Sequence, residues 1–114
     1  VQTCALPISD RDQVIAVSGG PKRDMLQKMI SKQLEQVIHD RETVVAEKDA
    51  REFITVAGEE MDGVTAEVIA PIICEGDPIG AVALLSRDPK AKPGEAEVKL
   101  VSTAAGFLGR QMEG

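Results

Sequence analysis

The chain has 114 residues, 43% of them apolar and 28% charged, with a formal net charge of −6. That size bounds it to one small domain with a single modest core, and no apolar run approaches the length of a membrane helix. Its acidity gains nothing from counterion release on DNA or RNA, and two phenylalanines without Trp or Tyr offer little stacking platform, so these residues are not expected to bind nucleic acid alone.

The chain opens VQTCALPISD. A signal peptide is one reading, against which stand the lack of a basic leading region and an apolar stretch far too short. A half-buried strand fits the alternation of Cys4, Leu6 and Ile8, with Pro7 confining it to an edge. A third reading comes from the codons GTT CAG ACG TGT GCT CTT CCG ATC, which resemble the end of a sequencing adapter. On that reading residues 1–8 are a translated artefact and residues 9–114 are the domain. With residues 1–8 set aside, Cys74 is the lone cysteine, which precludes an internal disulfide and points to a reducing cytoplasm.

QVIAV (13–17) is a short β-branched run that SGGP (18–21) breaks, which predicts a strand ending in a turn. Residues 22–40 place apolar side chains at 25, 26, 29, 30, 34, 37 and 38, a helical stripe with Asp24 in its first turn. Residues 41–63 hold two β-type runs, TVVAE and EFITVA. The stretch 64–88 predicts a hairpin of two long strands around EGDP (75–78), with Pro71 marking an edge position or a bulge. After the polar loop PKAKPG, residues 94–113 predict a second helix, acidic at its start and with Arg110 near its end.

That last helix carries two apolar stripes. Val98, Val101, Ala105, Leu108 and Met112 follow the 3-4 spacing of a helix-to-helix seam, and Leu100, Ala104 and Phe107 lie beside them. One stripe serves the domain's own sheet, and the other wants a partner helix or subunit. The small residues Ala104, Ala105, Gly106 and Gly109 would let that partner come close. The alternative is that both stripes are core under a curved sheet.

Catalytic arrangements are sparse. His39 is the single histidine and reads as a solvated residue near a helix C-terminus. Cys74 alone makes no zinc or paired-thiol site. The carboxylates of GEEMDG (58–63) lack the spacing of a calcium loop, and Ser18-Gly19-Gly20 lacks a GxxxxGKS/T or GxGxxG frame for phosphate. The residues therefore point to a sensor or assembly module with no catalytic group, metal or cofactor.

PIICEGDPIGAVALLS (71–86) resembles the hairpin shared by GAF domains, in which the Gly80 step lets a helix approach the sheet. GDPIGAV (76–82) together with TAAGFLGRQME (103–113) resembles the stage V sporulation protein T family, AbrB-type transcription regulators of endospore-forming bacteria. DRDQVIAVSG (10–19) is similar to the opening of that family's C-terminal GAF-like domain. The resemblance covers most of residues 10–114 and is weakest over 41–63.

It implies an α/β (α+β) GAF-like fold, a mainly antiparallel central sheet flanked by helices at about 22–40 and 94–113. Leu6 and Ile8 must then fill the place of the family's first strand or leave it open. It also implies a cytoplasmic regulator that senses an unidentified small molecule and assembles with itself, as a dimer or larger, through its C-terminal helix. On that resemblance DNA would be touched only through an N-terminal domain missing here, and no membrane is expected as a partner. The ligand candidates are Ser18, Phe53 and Val68, on the sheet face near the middle segment; the oligomer-interface candidates are Val98, Val101, Ala105, Leu108 and Met112. A purely structural oligomerisation module stays open. So does a small GAF enzyme of the methionine sulfoxide reductase type, although that chemistry needs several thiols and one native cysteine argues against it.

Overall fold

The computed structural model describes residues 4–18, 27–47, 54, 64–86 and 94–111. Its elements in chain order are β1 (Cys4–Ser9), β2 (Val14–Ser18), α1 (Lys32–Asp40), β3 (Val44–Glu47), β4 (Ala66–Cys74), β5 (Asp77–Ser86) and α2 (Glu95–Gln111). The strands form one five-stranded sheet in the order β2-β1-β5-β4-β3, antiparallel at each pairing. The expected mixed α+β fold with an antiparallel centre is the one observed.

The strands at the middle of the sheet are apolar on both faces because each face is covered. Ala81, Ala83 and Leu85 of β5 join Ile69 of β4 and Leu34, Val37 and Ile38 of α1 in one buried layer. Val82 of β5 joins Val68, Ala70 and Ile72 of β4 and Val101 and Ala105 of α2 in the other. The side-chain period of two sends alternate residues of each strand to opposite layers, so a continuous aliphatic run is what this position demands.

β1 is an interior strand, paired with β2 on one side and β5 on the other. Leu6 and Ile8 pack against the α2 layer and so fill the first-strand place. The edge expected from Pro7 is not observed. Its ladder with β5 runs through Cys4, Ala5, Ile8 and Ser9 and passes over Leu6 and Pro7, where a residue without N–H has no bond to give. The other strand prolines do lie at one-sided positions. Pro71 is beyond the last β3 pair, Val44↔Ile69, and Pro78 is beyond the last β1 pair, Ser9↔Ala81.

Turn chemistry sets the connections. Asp10 Oδ1 accepts from the backbone N–H groups of Asp12 at 2.7 Å and Gln13 at 2.8 Å, closing the β1–β2 link. The β4–β5 turn is tighter than EGDP: Cys74 pairs with Asp77 around Glu75 (φ 52°) and Gly76 (φ 87°). Two successive positive φ values suit the twist of a two-residue hairpin.

Of the helix expected over 22–40, residues 22–26 lie outside the described residues, and among the described ones the helix spans Lys32–Asp40. Residues 27–30 instead lie beside β2: Val14 N–H donates to the Lys28 carbonyl, Ile30 N–H to that of Asp12, and Met29 bridges Gln13. Met29, counted in the helical stripe, is 76% exposed. Gln27 takes a left-handed φ of 67°, which a continuous helix excludes. The helix starts where Ser31 Oγ accepts from Leu34 N–H at 3.0 Å. Ser31→Ala is expected to lower the unfolding free energy by about 1 kcal/mol in denaturant melts. The run EFITVA apart from Ile54, the loop GEEMDG, Asp24 and Met112 lie outside the described residues.

Candidate functional site

The sheet divides the molecule into an α1 face and an α2 face. On the α2 face, Val101 and Ala105 are 0% and 3% exposed, and Val98, Ala104 and Leu108 pack around them. Of the stripe expected in an oligomer seam, Val101 and Ala105 are buried against the chain's own sheet and Val98 and Leu108 are half-buried beside them; Met112 lies outside the described residues. The outward stripe is the neighbouring one, with Leu100 at 56% and Phe107 at 59% exposure. The two are seven residues apart, about two helical turns, and so lie on one face of α2.

The glycines reassign a second expectation. A Cβ at Gly80 would collide with the Ser9 carbonyl oxygen and come to 3.0 Å from Asp10 Cα, so Gly80 admits the backbone of β1 and not a helix. The close approach of helix to sheet is at Gly109, where a Cβ would meet the Ile73 carbonyl of β4. Gly106 faces open space on α2.

A cleft of about 460 Å³ is lined by Arg11 and Asp12 of the β1–β2 link, Glu35, Ile38 and His39 of α1, and Pro78 of β5. Its walls are tied down. Besides the Asp10 turn, Arg41 Nε and Nη2 donate to the Gly76 carbonyl at 3.2 and 2.9 Å, fastening the end of α1 to the β4–β5 hairpin. Gln36 Nε2 donates to Asp40 at 2.9 Å, and that bond, with His39 at 3.3 Å, holds the Asp40 carboxyl below its usual range. His39 is solvated near the helix C-terminus, as its position implied.

Val68 is 1% exposed and packed under α2. The side chains of Ser18 and Phe53 lie outside the described residues, so Val68 is the one ligand candidate whose side chain the described residues include. Sequence reasoning passed over Glu67, which is 1% exposed. Its Oε1 accepts from the Ile54 N–H at 2.7 Å, and its Oε2 has no hydrogen-bond partner among the described residues. Burial pushes this carboxyl up to about 7, against the smaller opposing pull of the Ile54 bond. The available signal was a single carboxylate inside the otherwise apolar strand AEVIAPIIC. Among the described residues no cluster of His, Cys, Asp or Glu is arranged to hold a metal, and no helix is long and apolar enough to cross a membrane.

Comparison with known proteins adds kinship to this geometry. The family model described as stage V sporulation protein T C-terminal, transcription factor, matches residues 1–113. Stage V sporulation protein T of Bacillus subtilis (strain 168) is 48% identical over 106 residues, covering 93% of this chain. The chain spans 57% of that relative's length. Among solved structures, a type II free methionine-R-sulfoxide reductase from Thermoplasma acidophilum superposes with a TM-score of 0.69 at 13% identity, over 93% of this chain and 76% of that one. The PixJ GAF domain of Thermosynechococcus elongatus gives 0.62 at 14% identity, over 95% and 75%. At such identities the likeness is one of fold alone, and the fold is GAF-like.

Proposed function

Since the chain belongs to the stage V sporulation protein T C-terminal transcription-factor family, we propose that it is the part of a cytoplasmic sporulation regulator that self-associates and responds to a small molecule. The observation that carries this reading is the outward stripe of Leu100 and Phe107 on α2, apolar surface that the chain's own sheet leaves uncovered. Two copies related by a twofold axis would bury it in one self-complementary contact.

The cleft at Arg11, Asp12, Glu35, Ile38, His39 and Pro78 supports the sensing half of the proposal, since its volume falls in the range of small-molecule sites. An effector bound there would favour one arrangement of the paired domains over another. DNA contact belongs, on this proposal, to another part of the full-length regulator; the net charge of −6 makes this part a poor match for phosphates.

Phe107→Glu is expected to weaken self-association by about 2 kcal/mol, roughly thirtyfold, because a charge replaces an aromatic anchor. Light scattering across a dilution series reads the shift. The side chain is exposed in the single chain, so thermal unfolding of the monomer should hardly change. An unaltered molar mass at every concentration would remove α2 from the interface.

A further inference from the structure

We propose that Glu67 is a built-in proton switch: its carboxyl sits neutral inside the folded domain, and its ionisation weakens the hold on residue 54 and the apolar layer around it. The geometry carries this. Glu67 is 1% exposed on the α1 face of β4, between Ala46 of β3 and Leu85 of β5. Thr65 and Ile69 flank it along its own strand, and α1 turns Leu34, Val37 and Ile38 toward the same layer. Lys32, Glu35, His39 and Asp40 of α1 and Glu47 of β3 are exposed. Among the described residues, then, nothing titratable faces Glu67, and no cation compensates an ionised carboxylate there.

A carboxylate in such surroundings needs several donors to stay charged, and among the described residues Glu67 has one, the Ile54 N–H. Neutralising the group removes most of the desolvation cost while Oε1 still accepts that bond. Ionising it puts an almost unsolvated charge beneath residue 54, and the charge is relieved only by exposing the carboxyl to water. The attachment of Ile54 is therefore linked to proton uptake.

The sign follows from the shift. The folded chain keeps a proton up to about 7, whereas the unfolded chain releases it near 4.5. Stability is greatest below the unfolded value, declines as pH rises between these two points, and levels off above the upper one. Relative to Glu67→Gln, which keeps an acceptor for Ile54 and cannot ionise, the wild-type chain should lose at least tenfold in its folding equilibrium constant between pH 5 and pH 8. The other titrating groups act alike in both proteins and cancel in the comparison.

The experiment pairs denaturant unfolding of both proteins across that pH range with a carbon-13 NMR titration of the Glu67 carboxyl in the wild-type chain. A carboxyl midpoint near neutrality, with Ile54 amide exchange accelerating through it beyond the intrinsic pH dependence, supports the switch. A midpoint near the ordinary value for glutamate, or identical pH profiles for the two proteins, overturns it. The NMR arm decides the matter alone if the Gln variant fails to fold.

Discussion

Gly109→Ala is expected to destabilise the domain by about 4 kcal/mol, although alanine is the better helix former by about 1 kcal/mol. The reason is a wall of backbone. A Cβ on Gly109 would run into the Ile73 carbonyl oxygen, with Ile73 C at 3.1 Å behind it. Neither atom can swing aside as a side chain would, so α2 must lift from the sheet and thin the layer that buries Val101 and Ala105. Gly106→Ala, three residues earlier on the same helix, meets open space and should stabilise by about 1 kcal/mol. Opposite signs in parallel denaturant melts would establish that α2 seats where the structure places it. Equal signs would show that it does not.

Gly80→Ala should be as damaging, about 4 kcal/mol, through a different element. Here the obstruction is the Ser9 carbonyl oxygen and Asp10 Cα, the point where β1 leaves β5. The pairing Ile8↔Val82 and Ser9↔Ala81 would have to open, exposing Ile8 and Val82 together. Amide exchange should locate the damage along β1 and the middle of β5, with α1 little affected. Uniform loss of protection would mean that the two strands do not form a separable seam.

The hairpin of β4 and β5, strand β2 and the span of α2 were legible from pattern, because long aliphatic runs and a glycine turn fix local structure without help from afar. The start of α1 was not. Residues 27–30 carry helix-compatible side chains, yet their backbone groups bond to Asp12 and Val14, a long-range claim that no periodicity announces. Which stripe of α2 faces its own sheet was hidden for a related reason. Both have helical spacing, and which one meets the sheet is decided by Gly109 and the Ile73 carbonyl. Glu67 shows the same limit at the candidate site. A glutamate in a strand is ordinarily solvated, and its burial depends on Ile54 and on covering layers contributed from elsewhere in the chain.

The sheet order has a consequence for how the chain acquires its structure. β1, at residues 4–9, finds its second neighbour in β5, at residues 77–86, with the intervening sequence made before that partner exists. During synthesis the β1–β2 hairpin must wait with one edge unpaired until the β4–β5 hairpin emerges to close it. High sequence separation slows this step and leaves an open strand edge available to neighbouring chains in the meantime. Pro7 stands on that waiting edge, where its missing N–H makes β1 a poor template for a wrong partner.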